Sequence, residues 1–333
     1  MGLTVAVTGP TGEIGMAAVA ALEDDDRVER VLGMARRPFD PASHGWKKTA
    51  YRQGDIVDRA AVDALVADAD VVVHLAYVIM GSRSESERVN LAGTRNVFEA
   101  AVAARRPRRL VYTSSVAAYG YHPDTPVPIT EDVPPRGSDE HYYSRQKAAC
   151  ERILAEVADG SGLEVYVLRP CVVAGPEATV MLRSLPWEQV ARYVPEPVRR
   201  ALGLVPGLRP VLPDPGRAFQ LVHHDDVASA VDAAVNGDGP PGAYNLAGDG
   251  EITVSDVARA VGAYALPVPG RLVGLAAGVV DLLPYLPAQA EWIHGAKHSM
   301  VMDTGRARRE LGWTPRHDAR ATLAAMAGAA RRG

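Results

Sequence analysis

Tyr143 and Lys147 stand one helical turn apart in the run YYSRQK, on one face of the helix that the pattern over residues 138–157 predicts. A phenol, with an ordinary pKa of about 10, is a poor acid or base at neutral pH, but a neighbouring ammonium and a positively charged cofactor ring would stabilise its phenolate. Tyr143 could then exchange a proton with a carbonyl or an alcohol. Of the 36 cationic residues only four are lysines, Lys47, Lys48, Lys147 and Lys297, so a lysine at this spacing calls for an explanation. An ammonium is a compact donor able to bond a ribose hydroxyl, where a guanidinium would present a wide fork. Ser115 falls at the end of a predicted strand, the edge at which open α/β sheets bind ligands, and could hold the substrate oxygen.

A second constellation lies at the start of the chain. The run TGPTGEIG places Gly9, Gly12 and Gly15 at intervals of three, directly after an apolar strand and opening a helix. Backbone N–H groups freed by glycine, with the positive end of the helix, form a cradle for a pyrophosphate, which implicates Thr11, Glu13 and Ile14 as well. The position after the second strand usually separates NAD from NADP, because an acid there accepts from the ribose 2′-hydroxyl and repels a 2′-phosphate. Here the strand ends in Arg36 and Arg37 with no acid, which favours NADP and leaves NAD open. Asp55 and Ile56 are placed to meet the adenine.

These residues need a scaffold. Apolar runs at 3–7, 28–34, 70–75, 110–114, 163–168, 219–222 and 243–246 predict strands. Helical patterns at 60–66, 88–104, 138–157, 226–235, 255–261, 271–283, 304–311 and 318–330 alternate with them, and Ser255 is the expected N-cap of its helix. The alternation predicts an α/β fold, a doubly wound parallel sheet of Rossmann type, with a smaller, interleaved C-terminal substrate lobe. Residues 1–170, with segments near 217–247, form the expected nucleotide domain; 171–216 and 248–333 form the lobe. Repeated prolines between 175 and 216 exclude one regular layer there. Met181, Trp187 and Trp292 are the lobe's candidate substrate contacts, an apolar supply that suits an apolar carbonyl compound.

Composition narrows the class. A net charge of −4 with no concentrated basic stretch argues against nucleic acid, and no apolar run is long enough to span a membrane. Cys150 and Cys171 are too few for a disulfide framework, which fits a cytoplasmic protein. The run His223-His224-Asp225-Asp226 could suggest metal ligands, but neighbours on a strand point to opposite faces, so no metal is expected and Asp225 reads as a helix cap.

Taken together, these segments resemble the extended short-chain dehydrogenase/reductase family, which includes nucleotide-sugar epimerases and dehydratases. TGPTGEIG, GDIVD, HLAY, NLAGTRNV, TSSVAAYG, YSRQK, RPCVVAGP and LVHHDDVASA occur in the family's order across nearly the whole chain. The resemblance implies Ser115, Tyr143 and Lys147 as a catalytic triad. It places Leu75, Ala76, Asn90, Thr113 and the Pro170 to Val173 backbone, Val172 included, near a nicotinamide cofactor, and Tyr77 and Val116 beside the substrate. It also implies a homodimer. Dehydratases of this kind carry Asp and Glu where this chain has Val116 and Ala117, which argues against dehydration. Epimerases usually carry Asn at the position of Val172 and Arg at that of Phe219. The resemblance therefore leans toward dihydroflavonol-reductase-like and 3β-hydroxysteroid-dehydrogenase-like members, with a nucleotide-sugar epimerase holding NAD as the alternative. A cofactor-sensing protein without activity would have no need of Tyr143 or Lys147.

Overall fold

The computed structural model describes residues 2–79, 83–177, 210–269 and 298–330. Strand and helix alternate through its first half: β1 (Leu3–Thr8), α1 (Glu13–Asp24), β2 (Val28–Ala35), β3 (Thr49–Gln53), α2 (Arg59–Val66), β4 (Val71–His74), α3 (Arg83–Glu87), α4 (Thr94–Ala103), β5 (Arg109–Thr113), α5 (Tyr142–Ala158) and β6 (Glu164–Pro170). The remaining described elements are β7 (Val172–Ala174), β8 (Val211–Asp214), β9 (Leu221–His223), α6 (His224–Asn236), β10 (Gly242–Leu246), α7 (Val254–Val261), β11 (Tyr264–Pro267), α8 (Gly305–Glu310) and α9 (Ala319–Ala330). Seven strands pair in the order β10-β6-β5-β4-β1-β2-β3, all parallel. This is the doubly wound Rossmann-type sheet. Its order reverses between β1 and β4, so the carboxyl ends of those two strands border the crevice where such sheets bind ligands.

The unbroken apolar strands follow from coverage on both faces. Val5, Val7, Val71, Val73 and Val111 point to one side and pack with α1 and α6. Ala6, Val72, Leu110 and Tyr112 point to the other and meet α2, α4 and α5 through Val62, Phe98 and Leu154. At the end of β4 the buried His74 ties both sides together, hydrogen-bonded to Thr8 Oγ1 (2.7 Å) and Thr94 Oγ1 (2.9 Å). Burial lowers its pKa to about 3, so the ring is neutral.

Several boundaries differ from the sequence reading. The stretch expected as one helix over 88–104 begins as a wider π-helical turn, Arg88–Gly93, before α4. The helix expected from 138 starts at Tyr142, because His141 stays extended and caps it through Nδ1, accepting from Ser144 N–H. Thr253, not Ser255, caps α7: its N–H donates to Asp256 Oδ2 (2.9 Å), while the Ser255 hydroxyl donates to Asp214. Four strands went unread, β3, β7, β8 and β11. β7 pairs with β9, and β8 with β11, in two small parallel sheets. The expected helix over 271–283 lies outside the described residues.

Where α1 packs on α6, Asp25 accepts from Arg27 N–H (2.8 Å) and Asn236 Nδ2 (2.6 Å), bonds that overcome burial and hold it down to about 2. Burial and the Asp25 charge push Asp232 up to about 7. A carboxyl whose folded pKa is raised favours the folded state at low pH, and that contribution is lost as pH rises from about 4 to about 7. Asp232→Asn, which keeps the shape of the protonated acid, should therefore raise stability by about 1 kcal/mol at pH 8 once solvent screening is allowed for, and by almost nothing at pH 4. Urea midpoints at the two pH values check this; an equal shift at both would exclude a titrating Asp232.

Candidate active site

The turn after β1 is built by close backbone approach. Gly9 has φ +76°, and a Cβ added there would sit 2.7 Å from Ala76 N and Cα, so the turn rests directly on the Leu75–Ala76 backbone. A Cβ at Gly15 would meet Gly9 O at 2.1 Å. Among the described residues no side chain caps α1 at Gly12, so the first-turn N–H groups around Thr11, Glu13 and Ile14 form the anion cradle that the sequence suggests. The turn fits a dinucleotide pyrophosphate, because Cβ atoms at Gly9 and Gly15 would force its backbone apart, while Gly12 leaves the helix start open to an anion.

At the end of β2, Arg36 and Arg37 are exposed, and Arg36 Nη1 lies 2.9 Å from Glu85 Oε1 on α3. The Tyr51 hydroxyl on β3 donates to the carbonyls of Ala35 (2.8 Å) and Arg37, fixing the backbone that presents both arginines. Asp55 accepts from Val57 N–H (3.1 Å), and Ile56 is buried against Gly93, with its carbonyl bonded by Asn96 Nδ2 (3.0 Å).

β5 and α5 bring the proposed catalytic groups together. Ser115 Oγ accepts from Ala117 N–H (3.2 Å), capping a short 3-10 turn whose buried Val116 lies at the same edge, and it shares a side-chain hydrogen bond with Tyr143. Burial pushes the Tyr143 phenol up to about 12 against the pull of that bond. The expected depression by Lys147 is not found. Instead, Lys147 Nζ donates to Thr113 O (2.9 Å) and lies 3.7 Å from the centroid of the Tyr77 ring, but 6.0 Å from that of Tyr143. Burial lowers its own pKa to about 8. Tyr77 also meets Tyr143 edge-on at 5.5 Å, so one aromatic ring bridges the two catalytic groups. Thr113 Oγ1 is buried with no partner, a polar atom left for a ligand at this edge.

The remaining sequence-predicted residues are placed around this edge by their own bonds and strands. Asn90 is fully buried: its side chain bonds both Val78 N (2.8 Å) and Val78 O (2.9 Å) and donates to Gln146 Oε1 (2.9 Å). Its polar groups therefore brace the segment after β4 against α5. Pro170 ends β6, and Val172 and Val173 open β7, both half-buried. Met181, Trp187 and Trp292 lie outside the described residues. Gln146, Glu151 and Arg169 went unread, although Glu151 stands one turn beyond Lys147.

The His223 to Asp226 run does not diverge as strand geometry predicts, because β9 ends at His223 and α6 starts at His224. The two imidazoles lie 4.3 Å apart, and ligand atoms of His223, His224 and Asp225 fall within 4.8 Å of one another. His223 Nδ1, not Asp225, caps α6, accepting from Asp225 N–H (3.3 Å). Buried Asp226 accepts from the N–H groups of Arg316 (2.8 Å) and His317 (3.1 Å), which pins the segment before α9.

Over residues 5–247 the chain matches the model of the NAD dependent epimerase/dehydratase family. It belongs to that family. Its relatives include protein y4nG of Sinorhizobium fredii, 28% identical over 94% of this chain and 75% of that one. Protein Rv0501 of Mycobacterium tuberculosis is 25% identical over 94% of this chain and 80% of its own length. Among solved structures, the Bordetella bronchiseptica enzyme WbmH in complex with NAD+ aligns with TM-score 0.70 at 22% identity, covering 100% of this chain and 99% of that one. The Bacillus cereus UDP-glucuronic acid 4-epimerase in complex with NAD aligns with TM-score 0.71 at 16% identity, covering 99% of each chain. These alignments establish the shared α/β fold. Among the described residues no helix is long and apolar enough to cross a membrane.

Proposed function

We propose that this family member is an NADP-dependent reductase of a small, largely apolar carbonyl compound. The observation that carries the reading is the Tyr143 phenol, bonded to Ser115 and set beside Tyr77 and Lys147 at the ends of β5 and α5, with burial raising its pKa to about 12. Such a group is protonated at neutral pH and suits the donor of a proton to a carbonyl oxygen, whereas withdrawal of a proton from an alcohol would need the phenolate. When bound, the nicotinamide supplies the hydride. Ser115 would hold the carbonyl oxygen, Tyr143 would protonate it, and Lys147 would orient the nicotinamide ribose through its N–H donors. Gly9, Gly12 and Gly15 would admit the pyrophosphate, and Arg36 and Arg37 the 2′-phosphate. That the substrate is apolar is inferred from the sequence alone, from Met181, Trp187 and Trp292, which lie outside the described residues.

The alternative is an epimerase that keeps its NAD. It is favoured by the NAD bound in the WbmH and Bacillus cereus structures and by the ion pair that Arg36 already makes with Glu85. Denaturing the purified protein and identifying any released dinucleotide separates the two. We expect an empty protein that binds NADPH about tenfold more tightly than NADH, the worth of one charge-assisted phosphate contact. Arg36→Ala should erase that preference. Stoichiometric retained NAD would overturn the reductase reading.

A further inference from the structure

Behind the catalytic groups lies a buried ion pair that the proton chemistry does not use. The Glu151 carboxylate on α5 and the Arg169 guanidinium on β6 are each 6% exposed, with Nη2 and Oε2 2.6 Å apart. Glu151 Oε1 also accepts from Arg169 Nε (3.0 Å) and from Ser114 Oγ (2.5 Å). Arg169 Nη1 extends the network to the Tyr119 hydroxyl (2.9 Å), which donates to Asn245 Oδ1 (2.7 Å) on β10. Ser114 immediately precedes Ser115, Arg169 immediately precedes Pro170, and Glu151 follows Lys147 by one helical turn. One carboxylate thus joins the ends of β5 and β6 to the helix that carries Tyr143 and Lys147. Buried ion pairs are often no more stabilising than apolar residues of equal volume, so stability alone does not account for one here.

We propose that Glu151 is a positioning residue, whose carboxylate sets Ser115 and the β6 end in register with Tyr143 and Lys147. The role rests on the active site proposed above. The negative charge also acts on Lys147. Burial lowers that ammonium's pKa, and the Cys150 and Glu151 positions on its own helix oppose the shift. From the other elements Lys147 faces the Thr113 carbonyl and the rings of Tyr77 and Tyr112, while its charge reaches His74 on β4.

Because the chain has four lysines, nitrogen-labelled lysine resolves Lys147 by NMR titration with no cofactor or substrate present. Glu151→Gln should lower its midpoint by about half a pH unit or more and weaken NADPH binding about tenfold, with Glu151→Asp restoring the midpoint. Since Glu151→Gln leaves the Arg169 charge unpaired, the double variant Glu151→Leu/Arg169→Met serves as the well-packed counterpart. It should fold and show the same weakened binding, with the midpoint lowered less than in Glu151→Gln because the Arg169 charge is removed as well. A folded double variant with the parent's Lys147 midpoint and NADPH affinity would overturn the positioning role. If the parent protein binds neither NADPH nor NADH, the functional reading fails by itself, and an unchanged or lowered midpoint still decides this one.

Discussion

Tyr143→Phe is expected to fold, to bind dinucleotide within about twofold of the parent, and to lose turnover by about 10²–10⁴-fold, the usual worth of a positioned general acid. The ring is retained, and with it the edge-on contact to Tyr77 at 5.5 Å. The hydroxyl is lost, but Ser115 keeps its bond to Ala117 N–H (3.2 Å), so the oxygen-holding group stays in place. The pH dependence sharpens the test. With Tyr143 at about 12 and Lys147 at about 8, dinucleotide binding should weaken as pH rises through about 8, because the ammonium loses the proton with which it bonds the ribose. That weakening belongs to Lys147 and should persist in Tyr143→Phe, while the turnover loss belongs to Tyr143 alone. Oxidation of NADPH with a panel of apolar ketones and aldehydes, beside fluorescence titrations of binding, measures both. Full turnover in Tyr143→Phe would remove the phenol from the mechanism.

The parts of the site that were legible in the sequence depend on local spacing. Three glycines after an apolar strand, and Tyr143 one turn before Lys147, carry their geometry within a few residues, and the structure places them at the same sheet edge. What stayed hidden depends on chain segments far apart. Lys147 rests on Tyr77, from the segment after β4, and that contact cannot be seen from helix α5 alone. Burial, which raises the Tyr143 pKa, and the 6.0 Å between its ring and the Lys147 ammonium are likewise set by the packed fold and not by the spacing of the two residues. β3 was missed because TAYRQ, at the sheet's edge, buries no residue fully and so has no apolar signature. Glu151 and Arg169 went unread because they are 18 residues apart and meet only when α5 and β6 are packed beside β5. His141 as a cap depends on an extended backbone three residues after Ser138, which the pattern alone takes as the helix start.

Gly15→Ala should be the most damaging single methyl group in the cradle. Gly15 lies in the first turn of α1, where alanine would normally add up to about 1 kcal/mol of helix stability over glycine. Here the added Cβ would meet Gly9 O at 2.1 Å and Pro10 C and Cα at 2.8 and 2.9 Å. All three are backbone atoms, and none can swing aside as the tip of a long side chain could. Nor can the turn retreat, because Gly9 at φ +76° is already wedged against the Ala76 backbone. The clash must therefore displace the β1–α1 junction, at an overpacking cost of about 1–3 kcal/mol, and pull the first-turn N–H groups away from a bound pyrophosphate. We expect dinucleotide affinity to fall by about 100-fold or more, as two or more of those N–H contacts are lost. Gly12→Ala is the control, since its Cβ would approach Gly9 O only to 3.5 Å, an ordinary contact. That variant should keep the parent's urea midpoint, so any loss of affinity in it reports the approach of the ligand rather than damage to the fold. If Gly15→Ala instead matched the parent in both midpoint and affinity, the β1–α1 turn would not be the pyrophosphate site, and the dinucleotide reading would lose its anchor.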